Sequence, residues 1–383
     1  MTICDLTNAY TPTSGGIRTY LQEKRRFLLR RTTHRHVMIV PGVRDETIRE
    51  GRMVTHVLRG PVIPGCAPYR AILRLDRVLR LLRAEEPEIV ELGTGYLLPL
   101  VAFAFRGLSG ASVVGFCHTD YPHAYVRPFL RRRAPRLAEV GTRLAEGHLR
   151  HVYNRCDAVL AASDTMIETL RAAGVRRIEK VPLGVDAELF HPDKRDETLR
   201  RHLGVEDGDV LIAYTGRIDG EKRIDVLLEA FALAMPRVES KLVIVGDGPL
   251  RARVEAVASS TDRIVLLPYQ SDRHELARVL ASADIYLTAG PHETFALSVV
   301  EAQASGLPVI GVRAGALLER VPESVGLLGE VDSAAAMAEN IVMLSSNGLR
   351  AKGRQARRVI ERTLTWESSI SRLLETYERL RSR

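Results

Sequence analysis

The chain has 383 residues, of which 45% are hydrophobic and 27% charged, and its formal net charge is +8. This length exceeds the usual size of a single hydrophobic core, so we expect a soluble protein of two domains. No apolar run approaches the roughly 18 residues that a membrane-spanning helix needs, and the N-terminus lacks the pattern of a signal peptide. We therefore expect a cytoplasmic location.

The four cysteines, Cys4, Cys66, Cys117 and Cys156, lie far apart and show no paired spacing. Such a pattern is typical of reduced, mostly buried residues in a cytosolic protein. We expect neither a disulfide framework nor a metal site.

The positive charge is concentrated in the first half of the chain. Residues 1–190 contain 29 Lys and Arg against 19 Asp and Glu, whereas residues 191–383 contain 26 against 28. A basic lobe suggests an anionic partner, for which a membrane surface or a nucleic acid are the general candidates. The alternative is a solvated, arginine-rich surface without a specific partner. The densest clusters are Lys24-Arg25-Arg26, Arg30-Arg31 and Arg131-Arg132-Arg133.

Short apolar strands alternate with amphipathic helices along the whole chain. In the first half we predict strands near 2–6, 36–40, 54–58, 88–92, 112–117, 158–162 and 179–182. Helices are predicted near 16–30, 69–84, 96–106, 134–155 and 164–173. In the second half we predict strands near 210–215, 241–245, 264–267, 285–288 and 308–312, with helices between them.

This alternation predicts parallel sheets that are covered by helices on both faces. The expected fold class is α/β, with two Rossmann-like, doubly wound domains facing each other across a cleft. We place the first domain at 1–187 and the second at 188–365. Whether the last helix, 366–383, packs back on the first domain is left open.

Two motifs follow strands of the first half. Gly15 and Gly16 open the first helix, where paired glycines allow a phosphate to approach the backbone and the positive helix end. A simple helix-entry turn is the alternative, and the Gly-x-Gly-x-x-Gly fingerprint of dinucleotide cofactors is missing. His118 leaves the strand 112–117, where a neutral imidazole can hydrogen-bond a ligand or serve only the structure.

Two further motifs follow strands of the second half. Arg217 and Lys222 lie in the loop after strand 210–215 and suit the charge of a diphosphate. The turn 246–250 contains two glycines and a proline at a helix start, and we interpret it as mainly structural.

The most informative stretch is 284–312, which predicts a strand, a polar loop, a helix and a second strand. Glu293 lies in the loop and Glu301 on the helix. A loop at the carboxyl end of a parallel strand that opens into a helix is where α/β proteins bind phosphates. The Asp-x-Asp pair Asp207 and Asp209 instead enters a strand at its amino end, so we interpret it as a polar turn.

Taken in order, these motifs resemble the retaining glycosyltransferases of the GT-B, family 4 type. The resemblance covers nearly the whole chain and includes the signature of two glutamates separated by seven residues, E-x7-E. It implies a nucleotide-sugar donor in the second domain, an acceptor in the first, no cofactor and no metal. The residues to which it assigns roles are His118, Arg217, Lys222 and Glu293 in catalysis, and Gly15, Gly16, Arg217, Lys222, Glu293, Phe295, Ala296, Leu297 and Glu301 in donor binding.

Within that resemblance the roles divide by position. Arg217 and Lys222 would neutralise the donor diphosphate, and Glu293 would accept hydrogen bonds from the hydroxyls of the donor sugar. Glu301 would hold the ribose, and His118 would contact the sugar near the reacting carbon. The chain departs from the family at Leu183, where asparagine is frequent, at Ala296, where glycine is common, and at Arg223, where a small residue is common.

The function implied is the transfer of a hexose, with mannose or glucose favoured, from a nucleotide-diphosphate sugar to a lipid or lipid-linked glycan. A peripheral membrane enzyme of glycolipid biosynthesis is expected, with the basic first half on an anionic membrane. Three alternatives stay open: the same chemistry on a small soluble acceptor (a sugar, sugar phosphate or glycerate), a nucleotide-sugar epimerase, and a non-catalytic nucleotide- or nucleic-acid-binding protein. The last is disfavoured because nucleic-acid motifs with interleaved aromatic residues are missing.

Overall fold

A computed structural model of the chain describes residues 1–11, 15–63 and 68–382. The chain divides into two compact units, one of residues 1–182 with the segment that starts at Trp366, and one of Leu183–Thr365. Both units are α/β, and the prediction of two parallel-sheet domains is confirmed. Of the four cysteines, Cys66 lies outside the described residues, whereas Cys4, Cys117 and Cys156 are buried free thiols.

The first unit is built on an eight-stranded sheet in the order β3-β4-β2-β1-β5-β6-β7-β8. Its strands are β1 (Thr2–Leu6), β2 (Arg35–Gly42), β3 (Glu46–Glu50), β4 (Met53–Arg59), β5 (Ile89–Leu92), β6 (Ser112–Cys117), β7 (Ala158–Ala161) and β8 (Ile178–Lys180). All neighbours are parallel except the edge strand β3, which pairs antiparallel with β4. The prediction missed β3 because all five of its residues are exposed and it has no apolar alternation.

The helices of this unit that precede the second unit are α1 (Gly16–Arg31), α2 (Leu75–Glu85), α3 (Leu98–Ser109), α4 (Arg127–Arg133), α5 (Ala138–Tyr153) and α6 (Asp164–Ala172). Helix α4 was not predicted, α3 ends at Ser109 rather than near 106, and two further helices start later than predicted. α2 starts at Leu75 rather than near 69, because Arg70 forms a β-bridge with Val62. α5 starts at Ala138 rather than near 134, after a short 3₁₀ turn that opens with Pro135.

The second unit contains a six-stranded, all-parallel sheet in the order β11-β10-β9-β12-β13-β14. Its strands are β9 (Val210–Thr215), β10 (Ser240–Val245), β11 (Ile264–Leu267), β12 (Ile285–Leu287), β13 (Val309–Val312) and β14 (Gly326–Gly329). Its helices are α7 (Glu197–His202), α8 (Ile224–Ala234), α9 (Arg251–Ala258), α10 (Arg273–Ser282), α11 (Leu297–Ala304), α12 (Leu317–Arg320), α13 (Ala334–Ser346) and α14 (Leu349–Thr363). The chain order reverses between β9 and β12, and such a switch point is where doubly wound sheets bind ligands.

The last helix, α15 (Trp366–Arg381), belongs to the first unit and is held there by a buried polar cluster. The ammonium of Lys24 on α1 lies 2.8 Å from Asp5 Oδ1, 3.2 Å from Glu91 Oε2 and 3.0 Å from the hydroxyl of Tyr377 on α15. Tyr20 Oη donates to both carboxylate oxygens of Glu91 at 3.0 Å. All five side chains are buried. In the described part of the chain, no helix is apolar enough over a sufficient length to cross a bilayer.

Candidate active site

The loop after β9 holds two cations among carboxylates. Arg217 Nη1 lies 2.9 Å from Asp219 Oδ2, and Nη2 pairs with Glu221. The side chain of Asp219 also accepts the backbone N–H of Lys222 at 3.1 Å, which fixes the turn that presents the lysine. Burial raises the pKa of Asp219 even though Arg217 opposes the shift.

Lys222 and Glu293 are brought together by the adjacent strands β9 and β12. Lys222 Nζ donates to Glu293 Oε1 at 2.7 Å and lies 3.4 Å from Glu221 Oε1. Burial alone would lower the pKa of Lys222, but the two carboxylates outweigh it and raise that pKa well above its ordinary value. The lysine therefore stays protonated at any physiological pH.

This cluster is not simply cationic. Arg217 and Lys222 face three carboxylates, those of Asp219, Glu221 and Glu293. The sequence drew attention to the two cations alone, as counter-charges for a diphosphate. In the structure, acidic side chains already hold the guanidinium of Arg217 and the ammonium of Lys222 in place. This lowers the cost of ordering these groups when a ligand binds.

The helix α11 starts beside Glu293 and points its N-terminus at the switch point. Its N-cap residue, Ala296, has φ 64° and ψ 56° and supplies no side-chain cap. The first N–H groups of a helix lack intrahelical partners and carry partial positive charge. Positive φ also explains why glycine is common at this position in the family that the sequence resembles.

Close backbone contacts position these loops. A Cβ at Gly315 would lie 2.7 Å from the carbonyl oxygen of Glu293, and Ala316 N–H donates to that same oxygen at 2.8 Å. A Cβ at Gly246 would lie 1.9 Å from the carbonyl oxygen of Gly216. The turn 246–250, interpreted as structural, is thus packed directly against the backbone that delivers Arg217.

Glu301 is buried on α11 and has a partner that the sequence did not indicate. Its side chain is 5% exposed, and Oε1 accepts from Arg273 Nη2 at 2.8 Å. The guanidinium of Arg273, at the start of α10, stacks 4.8 Å from the ring centroid of the buried Phe190. The arginine was not among the predicted site residues, because it is 28 positions from Glu301 and no motif of the sequence marks it.

Three predicted residues belong to the first unit. His118 follows β6 and stacks on Phe116, with ring centroids 4.1 Å apart, and its ring lies 5.2 Å from that of Tyr20. Burial lowers the pKa of His118 to about 3, so the imidazole is neutral. Gly15 is the N-cap of α1, which starts at Gly16, and a Cβ there would meet nothing within 4 Å. The fold itself therefore leaves the backbone at Gly15 open.

Two of the three departures from the family pattern, Ala296 and Arg223, have a positive φ. Arg223, with φ 52°, is the N-cap of α8. Its guanidinium Nε lies 2.7 Å from Asp332 Oδ1, so the arginine is tied to the surface and not to the cluster around Lys222. Leu183 is buried.

Two family models match successive parts of the chain, and curated proteins match most of its length. Residues 14–189 match the family model "Glycosyltransferase Family 4" and residues 195–363 match "Glycosyl transferases group 1". A GDP-mannose-dependent alpha-(1-6)-phosphatidylinositol dimannoside mannosyltransferase of Mycobacterium tuberculosis is 32% identical, over 98% of this chain and 96% of its own length. The chain belongs to glycosyltransferase family 4. A GDP-mannose-dependent alpha-mannosyltransferase of Corynebacterium glutamicum is 29% identical, over 91% of this chain and 82% of its own.

Solved structures support the fold of this family 4 glycosyltransferase. Sucrose-phosphate synthase from Thermosynechococcus elongatus matches with a TM-score of 0.80 at 19% identity, over 99% of both chains. Anabaena HepE in complex with UDP-glucose matches with a TM-score of 0.76 at 17% identity, over 99% of both chains. The expected GT-B class of fold is thereby confirmed.

Proposed function

We propose that the chain transfers mannose from GDP-mannose to a hydroxyl of a lipid or lipid-linked glycan, with retention of configuration and without a metal ion. The observation that carries the proposal is the 2.7 Å pair of Lys222 and Glu293 beside the N-terminus of α11. The relatives named above are GDP-mannose-dependent, which supports the donor, and one acts on a phosphatidylinositol dimannoside, which supports a lipid acceptor.

In this proposal the donor diphosphate lies against Lys222, Arg217 and the backbone N–H groups of Phe295, Ala296 and Leu297. Cleavage of the bond between the sugar and the diphosphate places negative charge on the leaving group and oxocarbenium character on the sugar. A lysine whose charge is assured stabilises that leaving group without proton transfer. The fixed cations and the helix N-terminus supply the counter-charge, which is the argument for a metal-independent reaction.

Glu293 would accept hydrogen bonds from the sugar hydroxyls while its other side is held by Lys222. Glu301 would accept from the ribose hydroxyls, oriented by Arg273. The neutral His118 would hydrogen-bond the sugar near the reacting carbon, and Gly15 and Gly16 would offer backbone groups to the phosphates. None of these assignments supplies a carboxylate nucleophile, so we infer a front-face displacement. The acceptor hydroxyl attacks on the side that the diphosphate leaves, and its proton passes to an oxygen of the leaving diphosphate.

The proposal is tested by the variants Glu293→Ala and Lys222→Ala in a transfer assay that follows release of GDP. Both should lose on the order of a hundredfold or more in kcat, as removal of a preorganised charge-stabilising group does. Arg253→Ala, which removes a surface pair with Asp225 in the same unit, serves as the control. Near-wild-type turnover of either site variant, with a cooperative melt intact, would rule out this site.

The acceptor assay also separates the alternatives. A lipid acceptor predicts transfer that requires a lipid hydroxyl, whereas transfer to a free sugar, sugar phosphate or glycerate without lipid would indicate the soluble-acceptor reaction. An epimerase would yield an isomeric sugar in place of a transfer product.

We further propose that α4 and the start of α5 contact an anionic membrane. Leu137, the N-cap of α5, and Val140 and Leu144 on that helix follow the i, i+3, i+7 spacing of one face and are 58%, 55% and 71% exposed. Phe129 on α4 is 54% exposed, and the guanidinium of Arg133 lies over its ring. Exposed apolar side chains beside arginines are typical of interfacial helices.

The membrane contact is tested by Leu144→Gln in a vesicle-sedimentation assay, with Leu233→Gln on α8 as the control exposed leucine. We expect Leu144→Gln to weaken binding to vesicles that contain phosphatidylglycerol, and the control to bind like the wild type. Binding that ignores both anionic lipid content and ionic strength would contradict the proposal.

A further inference from the structure

The helix α14 carries a row of arginines on the second unit, none of which is assigned to the donor. Arg350, Arg354 and Arg358 follow an i, i+4, i+8 spacing, which places them on one face over about 12 Å. Together with Pro192, Gly306 and Arg357 they line a cavity of about 370 Å³. Every charged side chain that lines this cavity is an arginine.

The three guanidinium groups lack the partners that other arginines of the unit have. Among the described residues of Leu183–Thr365, each arginine outside α14 has a carboxylate, carbonyl or hydroxyl partner. Examples are Arg253 with Asp225 at 2.7 Å and Arg263 with Glu239 at 2.6 Å. In the same described part, the arginines for which no such contact occurs are confined to α14: Arg350, Arg354, Arg358 and Arg362. A generally arginine-rich surface does not account for this concentration.

The row is also disfavoured by the helix that carries it. Like charges at i, i+4 destabilise a helix, and the row contains two such pairs. Arg350 lies in the first turn, where the positive end of the helix dipole repels a cation, and that turn has neither an acidic residue nor a side-chain cap. An arrangement with these costs is explained if an anion binds to it.

The helix is held firmly enough to present a defined site. Arg357, on the adjacent face, is buried and donates to the carbonyl oxygens of Ala187 at 2.8 Å, Phe190 at 2.6 Å and Ala304 at 2.6 Å. A Cβ at Gly353 would lie 2.2 Å from the carbonyl oxygen of Gly306, so α14 approaches the end of α11 as closely as glycine allows. Arg357 therefore has a structural role, and the row beside it is left for a ligand.

We propose that this cavity is a second anion site, which binds a ligand carrying several phosphate groups. Guanidinium groups bind phosphates through paired, planar hydrogen bonds, and a row of three along one helix matches neighbouring phosphates. The ligand is either a soluble oligophosphate or the headgroups of an anionic membrane. The site is distinct from the donor site around Lys222 and does not depend on which sugar is transferred.

The test replaces the row in the full chain with Arg350→Gln, Arg354→Gln and Arg358→Gln together. The control is Arg253→Gln, Arg263→Gln and Arg313→Gln, which removes the same charge from paired arginines of the same unit. One arm titrates tripolyphosphate in the presence of saturating GDP, which occupies the donor site. The other measures binding to phosphatidylcholine vesicles with and without phosphatidylglycerol.

We expect the row variant to lose binding in one arm, and the control to keep it. If the source is a membrane, the loss for three arginines is on the order of a hundredfold, since each contributes roughly a factor of five. Loss confined to tripolyphosphate assigns a soluble oligophosphate. Transfer to the lipid acceptor dispersed in detergent should be unchanged, which separates this proposal from the catalytic one. A row variant that binds both probes as well as the control would overturn the inference.

Discussion

Replacing Lys24 by Met tests the buried cluster that holds α15 in the first unit. Methionine keeps an unbranched chain of similar length but removes the ammonium. Asp5 and Glu91, which are 2% and 1% exposed, then lie near each other without a buried cation. Removing one partner of a buried ion pair costs about 3–5 kcal/mol, because an uncompensated charge remains.

The loss should depend on pH in a defined direction. Burial raises the pKa of Glu91 to about 7, although Lys24 opposes it. Burial also acts to raise the pKa of Asp5, but Lys24 and His36 outweigh it and lower that pKa. The stability from Asp5 is therefore present above its unfolded pKa and lost as pH falls. Since protonated carboxyls do not need the ammonium, the cost of Lys24→Met is largest above about pH 7 and shrinks toward about pH 4.

The single tryptophan of the chain gives a direct assay, because Trp366 opens α15 and is buried in the first unit. Urea unfolding followed by its fluorescence at pH 8 should show the full loss. Arg26→Met is the control, because it replaces a cation by methionine on the same helix. Its pair with Glu23 is exposed and contributes at most about 1 kcal/mol. A Lys24→Met variant no less stable than this control at pH 8, or one whose loss grows toward acid, would refute the reasoning.

Four further results are expected. Arg273→Ala should raise the KM for the donor more than it lowers kcat, because Glu301 loses its orienting partner; an unchanged KM would separate the two residues. The free energy of unfolding of Ala296→Gly should lie within about 1 kcal/mol of the wild-type value. That of Ala296→Val should be lower by about 1–3 kcal/mol, because a β-branched residue is strained at positive φ. The pH profile of kcat/KM should have no acid limb from His118 between pH 5 and 8, since its pKa of about 3 leaves it neutral there; a limb that disappears in His118→Ala would contradict this. Dialysis against EDTA should leave transfer intact, and activity restored only by a divalent ion would exclude the metal-independent reaction.

The sequence pointed to Lys222 and Glu293 because each follows an apolar strand of a parallel sheet. Their proximity depends on β9 and β12 being neighbours, which no local pattern specifies. Arg273 could not be found, because its partner Glu301 is remote in sequence and nothing about an arginine at a helix start marks it as the partner of a buried acid. The carboxylates that surround Arg217 were visible in the sequence as neighbours, but their geometry was not.

For the long apolar strands, the predicted bounds lie close to the observed ones. For polar elements they do not. The strand β3 has no buried residue, so periodicity carries no signal for it. The arginine row of α14 shows the reverse case: its i, i+4, i+8 spacing is present in the sequence. A charge balance taken over residues 191–383 is slightly negative and conceals it.

The central claim is tested most directly by incubating the purified chain with GDP-mannose and a phosphatidylinositol mannoside, and determining the anomeric configuration of the product by NMR. We predict one GDP released for each mannose transferred, an α-linked product, and loss of both signals in Lys222→Ala. A β-linked product, or donor that is isomerised without transfer to any acceptor, would contradict the account.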